Sequence, residues 1–141
     1  MGREALEEIA ASPRREKVTL VWNGEDVTQA FETLFEDGDP AKYIDLPKSR
    51  YAIFQYDKVL KDGETVGVST DCGYSFNERA MLSLAVVDVE HSEPGTEVTL
   101  LWGEEPNSSK PQVERHVQTE IRTTVAPVPY AEFARTAYRT T

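Results

Sequence analysis

Cysteine is almost missing from this chain: Cys72 stands alone in 141 residues, so no intramolecular disulfide can form and no thiolate-rich zinc site can be assembled. A reducing cytoplasm is the compartment expected from that usage. Histidine is scarce as well, with His91 and His116 far apart in sequence. Positive charge is under-represented, 15 Lys and Arg against 25 Asp and Glu, which leaves a net charge of -10 and a pI near 4.7. A polyanion would be repelled, and nucleic acid is not an expected partner. Long apolar runs are missing too: nothing in the sequence approaches the ~20 residues that a helical membrane span requires. The opening residues Met1 to Glu8 are acidic where an export signal would be basic and then apolar. The chain is expected to be soluble and unexported, and Asn107-Ser108-Ser109 reads as a chance glycosylation sequon.

What remains is ordinary globular material, 39% hydrophobic and 28% charged, enough for a core in one compact domain over residues 1–141. Leu6, Ile9 and Ala10 have helical spacing before Pro13, which predicts a short helix over 3–11. Lys17 to Trp22 carries β-branched and aromatic residues on both faces and predicts a strand buried on two sides. Val27, Ala30, Phe31, Leu34 and Phe35 form the apolar stripe of an amphipathic helix, with Asn23 and Asp26 placed as cap and partner. Residues 36–49, holding Gly38, Pro40 and Pro47, predict a loop.

From residue 50 the pattern turns to β. Tyr51 to Leu60, Asp62-Gly63 and Thr65 to Ser69 predict a hairpin, because Asp-Gly accepts the positive φ angles of a tight primed turn. Met81 to Val89 and Glu97 to Trp102 predict two strands joined through Glu93-Pro94-Gly95, and 103–111 a polar loop. Val113, Val117, Ile121 and Val125 alternate with polar residues and predict a long strand with one wet face, on which His116 would be solvated. Tyr130, Phe133, Ala134, Ala137 and Tyr138 are spaced for a closing amphipathic helix. Short strands joined by tight turns, without repeated strand-helix-strand units, imply a barrel or a sandwich.

Chemistry-bearing patterns are few. His91 and His116 are expected to be surface histidines, and Cys72, with no base beside it in sequence, a small packed residue. Asp71, Glu78 and Arg79 can edge a polar pocket or form an ordinary solvated turn. No phosphate-binding glycine loop and no nucleophile elbow occurs. No catalytic residue and no metal ligand is assigned.

A series of short motifs in order adds to this. Gly2-Arg3-Glu4-Ala5-Leu6, Tyr56-Asp57-Lys58-Val59-Leu60, Gly67-Val68-Ser69-Thr70, Ala80-Met81-Leu82-Ser83-Leu84-Ala85 and Pro94-Gly95-Thr96-Glu97-Val98 resemble the C-terminal barrel domain of the glycine-cleavage T-protein family. Gly73 to Ala80 and Gln112 to Gln118 resemble its branch of tetrahydrofolate-dependent aryl-methyl-ether O-demethylases acting on vanillate- or syringate-like acids. The chain departs from the family's Ser-Gly or Thr-Gly turn, having Ser69-Thr70-Asp71-Cys72-Gly73 instead. The resemblance implies a mainly β fold, a Greek-key-like barrel of about six strands with short flanking helices. It implies a role as accessory domain or subunit of a methyl or aminomethyl transferase, inactive alone, with the folate-binding catalytic domain absent. Tetrahydrofolate is then implied by family only, bound mainly by that other domain, which is the expected partner; a homo-oligomer is also possible. The competing expectation is a stand-alone binding or interaction module reusing the barrel. Pocket-edge or docking candidates are Ser69, Thr70, Tyr74, Phe76, Glu78, Arg79, Tyr130, Phe133 and Tyr138.

Overall fold

The computed structural model describes residues 14–44, 46, 56–103 and 114–130. The helices expected over 3–11 and beyond Tyr130, the strand residues before Tyr56 and the loop residues after Gly103 lie outside the described residues. The six strands are β1 (Arg15–Trp22), β2 (Asp57–Lys61), β3 (Glu64–Ser75), β4 (Ala80–Asp88), β5 (Glu97–Trp102) and β6 (Thr119–Ala126). They close into an antiparallel barrel in the order β1-β4-β3-β2-β5-β6. The meander β2-β3-β4 with β1 returning beside β4 is a Greek key. Closure removes every sheet edge, and with it the unpaired N–H and C=O groups an open sheet would expose.

The core lies inside the barrel because alternate residues of each strand point there. Val18, Leu20 and Trp22 of β1 face Ala85 and Val87 of β4, Leu100 and Trp102 of β5 and Ile121 and Val125 of β6, all buried. At this size, burial of each such aliphatic side chain contributes roughly 1.5–3 kcal/mol against leaving it in water. A polar thread runs through the same interior: the Trp22 indole Nε1 donates to Ser83 Oγ at 3.0 Å, and the Ser69 hydroxyl donates to Ser83 Oγ at 2.8 Å. Each buried group in that chain therefore has a partner.

The Asp62-Gly63 hairpin has both central residues at positive φ, +52° and +81°, as a primed turn demands. A Cβ at Gly63 would meet open space, so any penalty there is purely conformational. Gly63→Val is expected to lower stability by about 1–2 kcal/mol through left-handed strain alone, read as a lower urea midpoint with unchanged slope; an unchanged midpoint would refute the turn.

The helix α1 (Gly24–Glu32) starts where Asn23, in extended conformation, accepts the Asp26 backbone N–H at 3.0 Å. Two expectations change here. The Asp26 carboxylate does not return to Asn23 but reaches across to β6. The stripe also ends early: Thr33–Phe35 tightens into a 3₁₀ turn, whose three residues per turn rotate Phe35 off the buried face, and it stands 89% exposed.

The strand read through residues 113–125 is shorter than its alternation implied. β6 begins at Thr119, and Val117 instead makes an isolated parallel bridge with Ala41, its N–H donating to Pro40 O at 2.9 Å. That bridge breaks the two-residue phase. Val117 turns outward, while His116, expected on a wet face, is 3% exposed.

Candidate functional site

Three regions of the barrel carry the residues of interest. The first is one barrel end, where β2 begins and β5 stops. Asp57 shares the inward face of β2 with Val59, and its Oδ1 accepts the Gly103 N–H at 3.1 Å. Lys42, in the loop after α1, is buried: its carbonyl accepts the Trp102 indole Nε1 at 2.9 Å and its Nζ lies 5.0 Å from the Trp102 ring centroid, a cation–π distance. His116 closes the same end, with its Nδ1 2.8 Å from Glu114 O and its ring against Gly103, where an added Cβ would come within 2.9 Å of it.

Cys72 belongs to this end. Burial pushes its thiol up to about 11, with the nearby Asp57 carboxylate adding to the shift and Lys42 opposing it. The thiol therefore stays protonated at neutral pH and is no nucleophile there, in agreement with the packed residue expected. Among the described residues no three or more His, Cys, Asp or Glu side chains come together as a metal-holding group. No helix among them is long and apolar enough to cross a membrane.

The second region ties α1 to the barrel. Arg122 on β6 forks onto Asp26, Nε to Oδ2 at 2.9 Å and Nη2 to Oδ1 at 2.8 Å, and its own backbone N–H donates to Oδ2 at 2.8 Å. The Arg122 side-chain hydrogen bonds hold the Asp26 carboxyl below its usual 3.8, against the opposing effect of burial. Arg122 is correspondingly raised. The Asp26 side chain is 11% exposed but that of Arg122 is 66% exposed, so water screens the pair. Asp26→Ala is thus expected to cost about 2 kcal/mol, below the 3–5 kcal/mol of a fully buried pair. A carboxylate with a lowered native pKa stabilises the fold above its unfolded pKa and loses that contribution as pH falls through the native value. The gap between wild type and Asp26→Ala should therefore be full at pH 6 and shrink below about pH 4. Urea midpoints taken across pH check this, and a gap that stays constant down to pH 2 would refute the assignment.

The third region is the outer face of β3 and β4. An extra residue in β3 between Thr70 and Cys72 makes a bulge, with Asp71 held at φ +45°. Bulges re-aim side chains, and Asp71 here lines an open groove of about 410 Å³ together with Tyr74, Leu82, Leu84, Val128 and Tyr130. The β3–β4 turn lies next along the strands. Its Phe76 is 70% exposed, with the Arg79 guanidinium 4.9 Å from the ring centroid and Arg79 itself at φ +54°.

The nine candidates thus separate. Ser69 is inside the barrel in the Trp22–Ser83 thread, and Thr70 pairs with Leu84 on the outer face. Tyr74 and Tyr130 both line the groove, while Phe76, Glu78 and Arg79 share the exposed turn. Phe133 and Tyr138 lie outside the described residues. Lys42, Asp57 and His116 were not foreseen. For Asp57 the signal existed, since it falls two residues before Val59 on the inward face; Lys42 gives no local signal at all.

The family model of the glycine cleavage T-protein C-terminal barrel domain matches residues 43–106. Syringate O-demethylase of a Sphingobium species is 53% identical over 140 residues, covering 98% of this chain and 30% of that protein. Sesamin methylene transferase of a Sinomonas species is 34% identical over 145 residues, covering 96% of this chain and again 30% of the relative. The crystal structure of the glycine cleavage system aminomethyltransferase T from Bartonella henselae shares the fold at a TM-score of 0.50 and 18% identity, covering 92% of this chain and 26% of that one. The chain therefore spans under a third of the length of the curated relatives it matches. A closed six-stranded Greek-key barrel, the family model over residues 43–106 and the identity to a demethylase all lead to one likeness: the chain is similar to the glycine-cleavage T-protein C-terminal barrel domain, with an O-demethylase among its relatives.

Proposed function

We propose that residues 1–141 act as the accessory C-terminal barrel of a folate-dependent methyl or aminomethyl transferase of the O-demethylase kind, without catalysing the reaction alone. The observation that carries this reading is the match of 98% of the chain to 30% of syringate O-demethylase. The chemistry of the described residues supports it: the thiol of Cys72 is buried and protonated, and the polar groups of the barrel end are engaged with backbone and with the Trp102 ring.

The groove on β3 and β4 does not fit tetrahydrofolate. That cofactor ends in a glutamate and needs cationic partners, whereas Asp71 is the charged side chain lining the groove among the described residues. Folate binding then falls to a catalytic region outside this chain, in the same polypeptide or in a separate subunit. The turn of Phe76, Glu78 and Arg79 is the surface offered to it, an exposed aromatic ring backed by a guanidinium. Aromatic and Arg side chains are the residue types enriched where interfaces concentrate their energy. The reducing cytoplasm is the compartment proposed, on the strength of the single, unpaired cysteine.

Two measurements test this. The purified 141-residue chain, given tetrahydrofolate and syringate or vanillate, is expected to transfer no methyl group, and turnover would overturn the accessory role. Grafted in place of the corresponding barrel of the Sphingobium relative, the chain is expected to leave O-demethylation standing. A folded chimera without activity would favour the stand-alone module.

A further inference from the structure

Arg79 stands in the left-handed region at φ +54°, and every other residue at positive φ among those described is glycine or aspartate. Those two types reach that conformation at low cost; an arginine is strained there. Strain of this kind concentrates at clamps and contact sites, where the side chain it displays is used. The turn holds its shape by its own hydrogen bonds, the Arg79 N–H donating to the Phe76 carbonyl at 3.2 Å and the Glu78 N–H to Ser75 Oγ at 3.3 Å. It also stands clear of its neighbours. Among the described residues β2 pairs with β3 only as far as Ser69 and β1 with β4 only as far as Leu82, whereas the β3–β4 ladder runs on to Ser75 and Ala80.

The charge displayed there is unmatched. Arg15, Arg115 and Arg122 each have a carboxylate close by, Asp88 at 3.5 Å, Asp39 at 3.4 Å and Asp26 at 2.8 Å. In a chain with 25 acidic side chains against 15 basic ones, Arg79 has none among the described residues, the adjacent Glu78 included. Its guanidinium lies instead 4.9 Å from the centroid of the Phe76 ring, and Phe76 is 70% exposed. A cation–π contact uses none of the five N–H donors, and arginine takes a carboxylate through two of them at once. The matching surface therefore offers an acidic side chain beside an apolar recess. The grooves around the barrel are lined by neither Phe76 nor Arg79, so the pair presents a protruding surface, suited to a protein, rather than an enclosure for a small acid. Syringate O-demethylase has the matching barrel as 30% of its length, so most of that chain lies outside the barrel and is available to meet it.

Resting on the accessory role, we propose that this turn docks on the catalytic region of the transferase, with Phe76 in an apolar recess there and the Arg79 guanidinium forked onto an Asp or Glu at its rim. The strained arginine is then kept for the contact and not for the barrel.

The chimera that carries this chain in place of the barrel of the Sphingobium relative decides it. A benzophenone amino acid in place of Phe76 is expected to cross-link, on irradiation, to one acid-bearing segment of the catalytic region, identified by mass spectrometry. Arg79→Gly should weaken that cross-link several-fold and lower the Tm of the chimera. The same change should leave the Tm of the free 141-residue chain unchanged or raised, because glycine relieves the left-handed strain. A merely structural arginine would not give effects of opposite direction. Arg79→Glu should act as Arg79→Gly does on the chimera, and replacing the identified carboxylate by Arg should restore both signals. A chimera that cross-links as expected yet lacks activity would support the contact and count against the accessory role. Four outcomes overturn the proposal: no cross-link to the catalytic region, cross-links only to a second copy, a cross-link and Tm indifferent to both Arg79 variants, or a raised KM for syringate with the cross-link unchanged, which would assign the guanidinium to the substrate.

Discussion

Trp102→Ala is expected to lower stability by about 4 kcal/mol, close to the upper range for loss of a buried aromatic ring. Three interactions converge on this side chain. It is 1% exposed, it packs edge-on against Trp22 with ring centroids 5.5 Å apart at 62°, and its Nε1 donates to the Lys42 carbonyl at 2.9 Å. Truncation opens a cavity at the barrel end, leaves a buried carbonyl without its donor and takes away the ring beneath the Lys42 ammonium. Trp102→Phe separates these contributions, since it keeps much of the packing and loses the indole donor; about 2 kcal/mol is expected for it. Urea denaturation of both variants checks the pair of values. Equal losses would place the stabilisation in the hydrogen bond, and a loss under 1 kcal/mol for Trp102→Ala would show that this end of the barrel does not close as described.

The second large effect is expected at Gly67→Ala, from the addition of a single methyl group. Gly67 pairs with Val59 on one side and Val87 on the other, next to the bulge at Val59 and Leu60. A Cβ there would stand 2.3 Å from the Val86 carbonyl oxygen and 2.9 Å from Val87 Cα. Those are backbone atoms of β4, so relief requires moving a strand out of register rather than turning a side chain. About 3 kcal/mol or more is expected, at or beyond the usual range for overpacking. The methyl group would also lower unfolded-state entropy and so stabilise by under 1 kcal/mol, too little to offset the clash. A midpoint equal to wild type would mean that β3 and β4 lie farther apart than this register allows.

Much of the fold was legible in the sequence because it is written in short-range chemistry. Asp62-Gly63 can form few structures other than a primed hairpin, Asn23 precedes the helix it caps, and β5 matches its expected bounds from Glu97 to Trp102. Family motifs, in order, added the barrel that patterning left beside a sandwich. The burial of the docking candidates was not legible: nothing local told that Ser69 faces inward while Phe76 is exposed.

By itself, then, the sequence determined the order of most strands, the tight turns between them and the sign of the charge, since these depend on local pattern and on composition. Only the tertiary structure decided which polar residues are buried. Asp26 finds Arg122 across 96 positions, Trp102 finds the Lys42 carbonyl across 60, and Gly103 finds Asp57 across 46. His116 is buried because a bridge from Val117 to Ala41 shifts the alternation by one residue. The physical reason is common to all of these: a local pattern fixes which way a side chain points from its own strand, but closure of the barrel fixes what it meets there, and a buried polar group is stable only where that partner is present.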